Sequence, residues 1–95
     1  MVFIFNVLTK ESAREAFLNS FEMMKTVPGF QGIKLYQNQD DKHKFTCVEH
    51  WDTRESHSQH IEEITPEISE TWLSLLAGKP EILGFFDDVK SIGIV

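Results

Sequence analysis

Twelve residues, Glu49-His50-Trp51-Asp52-Thr53-Arg54-Glu55-Ser56-His57-Ser58-Gln59-His60, hold three of the four histidines and one of the two tryptophans. An imidazole titrates near neutral pH and can take a proton from a phenolic or enolic hydroxyl. His60 is the candidate base; it could equally cap the edge of a helix-sheet core. Glu49 could orient an imidazole or accept a substrate hydroxyl, or it could pair with a strand lysine. Trp51 and Trp72 offer flat apolar walls for an aromatic ligand, and the same side chains serve as core. Tyr36 could donate a hydrogen bond from within a sheet or pack at an interface. Asn6 interrupts an apolar strand, either as a hydrogen-bond donor inside a pocket or as a partner for a neighbouring backbone group.

His50, His57, His60 and Glu49 are zinc-type ligands. Glu49 and His50 are neighbours on a strand, so they point to opposite faces. His57 and His60 share a helical face, yet no second ligand cluster stands out, and no metal is expected. Cys47 is the single cysteine, so no intrachain disulfide can form. In mid-strand it reads as a buried thiol.

These groups need a strand and a helix to position them. Lys44 to Trp51 is rich in aromatic and β-branched residues and reads as a strand. Asp52 or Thr53 then caps a helix, with Glu55 completing a capping box. His57, His60, Ile61 and Ile64 share one face of that helix. Thr65-Pro66 breaks it, and Pro66 opens a second segment with Ile68, Trp72, Leu75 and Leu76 on its apolar face.

Upstream, residues 2–8 read as a strand with Phe3, Phe5 and Val7 on one face and Val2, Ile4, Asn6 and Leu8 on the other. Residues 10–26 read as a helix, with Ser12 and Glu15 as a capping box. Ala13, Ala16, Phe17, Phe21 and Met24 form its core stripe. Val27-Pro28-Gly29-Phe30 turns the chain into a strand from Gln31 to Gln37, and a polar turn leads to the next strand. A last strand is expected from Ile82 to Val89. The apolar tail Ser91 to Val95 should dock on a sheet edge or on a partner subunit.

The order is β-α-β-β-α(α)-β, an α+β fold of the ferredoxin-like, split βαβ type. It is an antiparallel sheet with helices on one face. The other face would be open in a lone copy, and its apolar content calls for a second copy, a two-fold homodimer. Ninety-five residues fit a single domain, 1–95. A net charge of −6 with scattered basic residues excludes nucleic acid as the main partner. Neither a signal peptide nor a membrane span is expected, and a cytoplasmic location follows as the default.

With these elements in place, the sequence resembles the antibiotic biosynthesis monooxygenase domain, a family of dimeric α+β barrels. The carriers are Val27-Pro28-Gly29-Phe30, Glu49-His50-Trp51 where the family has Glu-x-Trp, His60 eleven residues after Glu49, and Leu75-Leu76-Ala77-Gly78-Lys79-Pro80. The family includes quinol and anthrone oxygenases without metal or flavin, haem-degrading enzymes and an autoinducer-processing branch. His60 sits where many members have a pocket histidine, and Thr65-Pro66 is similar to the autoinducer-processing branch. Asn6 matches a pocket asparagine of the haem-degrading branch. That branch has tryptophan where this chain has His60, and its haem-ligating histidine would fall near Glu70, so haem degradation is not expected. The resemblance implies a cofactor-independent monooxygenase acting on a small electron-rich aromatic, with His60, Glu49 and Asn6 catalytic and Trp51, Trp72 and Tyr36 binding substrate. The alternatives are a metabolite-binding or isomerising module on the same fold, or a non-catalytic dimer.

Overall fold

The computed structural model describes residues 1–94. Strands β1 (Val2–Leu8), β2 (Phe30–Gln37), β3 (Lys44–Trp51) and β4 (Glu81–Phe86) form one sheet in the order β2-β3-β1-β4, with every neighbouring pair antiparallel. Helices α1 (Arg14–Asn19), α2 (Arg54–Glu63) and α3 (Pro66–Leu73) complete the ferredoxin-like α+β plan. The Cα trace measures 38 × 35 × 20 Å, the slab expected of two layers rather than three.

Alternation along β1 and β3 sorts the side chains. Phe5, Val7, Phe45, Cys47 and Trp51 point to the helical layer and are buried, with Phe17, Phe21, Met24 and Leu76 closing the core over them. The opposite face carries Val2, Ile4, Asn6 and Leu8 of β1, with His50, Val48, Thr46 and Lys44 of β3 as their cross-strand partners. No helix of the described residues is long and apolar enough to cross a membrane.

Three elements differ from their expected form. The segment 10–26 is not one helix: a 3-10 turn (Glu11–Ala13) leads into α1, and a second 3-10 stretch (Glu22–Thr26) follows. The Ser20 backbone N–H and hydroxyl both donate to the Phe17 carbonyl, and Met24 N donates to Phe21 O, so three-residue closure replaces the α-helical ladder. The Ser12–Glu15 box does not form, since neither N-terminus there has a side-chain cap. Phe17, Phe21 and Met24 still reach the core, while Ala16 is exposed.

The strand expected to run to Val89 ends at Phe86, because β1 supplies no partner beyond the Val2–Phe86 pair. Among the described residues the tail is not buried against the sheet. Val89, Ile92 and Ile94 are largely exposed, and Val95 lies outside the described residues.

Candidate active site between the sheet and the second helix

The turn at Val27-Pro28-Gly29-Phe30 sets the entrance to α2. Gly29 has φ +84°, and a Cβ there would collide with Asp52 Oδ1 and Ser56 Oγ, so the close approach requires glycine. Asp52 N donates to Gly29 O at 2.9 Å, tying the end of β3 to the start of β2. Thr53 is the N-cap of α2: its Oγ1 accepts from Ser56 N at 3.1 Å, while Asp52 Oδ1 accepts from Thr53 N at 2.6 Å. The cap therefore runs from Thr53 to Ser56 rather than from Asp52 to Glu55. Thr65 caps α3 in the same way, with Pro66 in its first turn.

With α2 fixed there, side chains of β1, β3, β4 and α2 come together. Glu49 pairs with Phe3, and Phe3 with Phe85, so all three face the helical layer. Glu49 is 6% exposed, and Trp51 Nε1 donates to its Oε1 at 2.9 Å. The same oxygen stands 3.9 Å from His57 Nε2. The His57 ring is buried among Phe3 at 4.3 Å, Phe85 at 5.1 Å and Trp51 at 5.4 Å between centroids. His60, one turn along α2, is half-buried with its ring 5.6 Å from Trp51. The Arg54 guanidinium lies 4.2 Å over the Phe85 ring, a cation–π contact.

Burial decides the protonation of this cluster. It pushes the Glu49 carboxyl upward, with the Trp51 hydrogen bond pulling partly back. It lowers both imidazoles; the charge of His60 lowers His57 further, and Glu63 partly restores His60. Burial thus disfavours the charged form of both imidazoles. Cys47 lies in the same layer but its thiol is pushed up to about 12, first by burial and then by Glu49, so it is no nucleophile.

The six residues singled out in the sequence do not all meet. His60, Glu49 and Trp51 are together. Trp72 packs on Phe5, Phe17 and Phe21, in the half of the layer under α1. Asn6 and Tyr36 lie on the opposite, open face. There Asn6 Oδ1 accepts from Thr46 Oγ1 at 2.7 Å and its Nδ2 donates to Glu81 Oε1 at 2.8 Å, while Tyr36 is exposed beside Thr46. His50 also faces that side, paired with Val2. His57 was visible in the sequence only as a helical face-mate of His60; its burial against Phe3 and Phe85 is a tertiary fact. Two surface depressions lie at the far end of β1, one around Leu8, Glu11, Asp41 and His43 and one around Asn6, Lys44, Lys79 and Glu81. Among the described residues no group of three or more His, Cys, Asp or Glu side chains is arranged to hold a metal ion.

The fold has counterparts among solved structures. A conserved protein from Methanosarcina mazei Go1 superposes with a TM-score of 0.75 at 21% identity, over 92% of this chain and 91% of that one. SnoaB, a cofactor-independent oxygenase from Streptomyces nogalater solved as a mutant, gives 0.74 at 11% identity, over 98% and 96%. The crystal structure of an antibiotic biosynthesis monooxygenase gives 0.72 at 18% identity, over 95% and 100%. At these identities the likeness is one of fold. No curated protein matches the chain by sequence. The sequence model of antibiotic biosynthesis monooxygenases matches residues 2–63, the run from β1 through α2 that contains Glu49, Trp51, His57 and His60. The chain belongs to the antibiotic biosynthesis monooxygenase family.

Proposed function

We propose that the protein is a cofactor-independent monooxygenase acting on a small electron-rich aromatic, quinol- or polyphenol-like, bound between the sheet and α2. The observation that carries this reading is the half-buried imidazole of His60, whose charged form burial disfavours, set against Trp51 beside the buried Glu49. His60 takes the hydroxyl proton of the substrate. The resulting anion gives one electron to O2, and the two radicals combine as a peroxide anion that takes the proton back from His60; loss of water, with the remaining hydrogen of the oxygenated carbon, breaks the O–O bond and leaves one oxygen atom in the product as a carbonyl. The chain supplies deprotonation and an apolar enclosure; the substrate supplies the electrons. The placement of Asn6 and Tyr36 on the open face gives them a part only where a second copy brings that face to a site.

The same reading includes a homodimer. The open face exposes Leu8, Tyr36 and Phe86 at about half of their surface. At ~25 cal/mol per Å2, covering several such side chains is worth on the order of 10 kcal/mol. Sedimentation equilibrium at micromolar concentration should give twice the 11.0 kDa chain mass, and a monomer removes this element.

Oxygen uptake with a panel of quinols and polyphenols tests the chemistry. Turnover should require O2, and His60→Ala should lower kcat/KM by roughly 10²–10⁴. Turnover that persists anaerobically, or a His60→Ala enzyme as active as the parent, rules the mechanism out.

A further inference from the structure

Helix α2 is fixed to the sheet by an unusual anchor. His57 is its one buried residue, and it occupies a cage of Phe3, Trp51 and Phe85 that an aliphatic side chain would fill without desolvating a polar ring. Facing it is a buried carboxylate with one hydrogen-bond donor, Trp51 Nε1. The separation of 3.9 Å between His57 Nε2 and Glu49 Oε1 is too long for a hydrogen bond but well inside the range of strong charge coupling. Both groups are shielded from water, so neither can change charge without the other responding.

We propose that Glu49 and His57 form a coupled pair holding one proton between them, and that His57 is thereby a positioning residue that sets the basicity of His60. The groups packed around the pair define its behaviour. β3 presents Glu49, Trp51 and the Cys47 thiol, which Glu49 helps to hold protonated, β1 and β4 present the rings of Phe3 and Phe85, and α2 itself carries His60, with Arg54 beyond Phe85 and Glu63 beside His60. When the shared proton rests on Glu49, His57 is neutral and His60 is free to accept a proton. When it rests on His57, an imidazolium one turn away opposes a second charge at His60. The carboxylate holds the proton close without exposing it, and Trp51, bonded to the same oxygen, registers where it is.

The role in catalysis rests on the monooxygenase reading; the coupling itself does not, and the test separates them. Histidine ring and tryptophan indole resonances are followed by NMR against pH in the full chain. The Trp51 indole N–H should shift with the same midpoint as His57. Glu49→Gln should abolish that shift and lower the His57 midpoint by about one unit or more. His57→Leu, which fills the cage with an apolar side chain, should raise the His60 midpoint. His57→Gln, which keeps a polar group and never ionises, should do the same and serves if the leucine variant does not fold. Midpoints of Trp51 and His57 that differ, or a His60 midpoint unmoved in both His57 variants, overturn the proposal whatever the activity. Where oxygen uptake is found, the acid limb of its kcat/KM profile should move with the His60 midpoint in the His57 variants. A profile that stays in place while the midpoint moves overturns the catalytic half alone.

Discussion

The two faces of the one sheet are written in the same strands, one residue out of phase, and they behave differently. On the helix side Phe5, Val7, Phe45, Cys47 and Trp51 vanish from the surface. On the other side Leu8, Tyr36 and Phe86 stay near half exposure, although their types are as apolar. The contrast shows that composition alone does not bury a strand; a covering layer does, and α1, α2 and α3 cover one face. A second contrast runs within the covered face. Beneath α1 the contacts are aromatic on aromatic, Phe17 with Phe21, Phe45 and Trp72. Beneath α2 the layer turns polar, with Glu49 and His57 in place of two hydrocarbons.

The largest expected effect comes from breaking the covered face at that junction. Trp51→Ala should cost about 3–5 kcal/mol of unfolding free energy in urea denaturation, because it opens a cavity and strips Glu49 of its donor. A loss below about 1 kcal/mol would mean the indole is not a core element. An equally drastic change on the open face should act elsewhere. Ile4→Asp should leave the fold of the chain intact by circular dichroism yet shift the sedimenting species to 11.0 kDa. An unchanged dimer would place the interface on another surface.

The smallest effect is acid sensitivity. The folded-state titration of His57 and His60 is depressed below 6.5 by burial, so under mildly acidic conditions the unfolded chain binds more protons than the folded one. The stability these groups contribute is complete above about 6.5 and is lost as pH falls below it. Glu49, raised by burial, acts in the opposite sense: its contribution is complete below 4.5 and is lost as pH rises through its raised folded value. Scanning calorimetry should therefore show Tm falling by roughly a few degrees from about pH 7 to about pH 5.5, and less in His57→Leu. A flat Tm over that range would show that the imidazoles are hydrated in the folded state.

Much of this was legible in the residues. Val2–Leu8 and the end of β3 at Trp51 follow from alternation and β-branched content, and the start of α2 follows from a Thr cap. The separation of Asn6 and Tyr36 from His60 was not, because period-two alternation tells which residues of one strand share a face and not which face meets its neighbour's. The register Asn6–Thr46 and Phe3–Glu49 decides that, and it is fixed by pairing across forty-odd residues of chain. His57 shows the same limit on a helix: spacing aligns it with His60, whereas its cage is assembled from β1, β3 and β4. The early stop of β4 depends on where β1 begins.

The thin anchorage of α2 has a kinetic consequence. A ten-residue helix that buries a single side chain, with Ile61 about half in water, gives up little when it lifts from the sheet. Local opening there should be far cheaper than global unfolding. The amides of Arg54–Glu63 should exchange with deuterium well before those of Phe45–Trp51, measured by mass spectrometry on peptides.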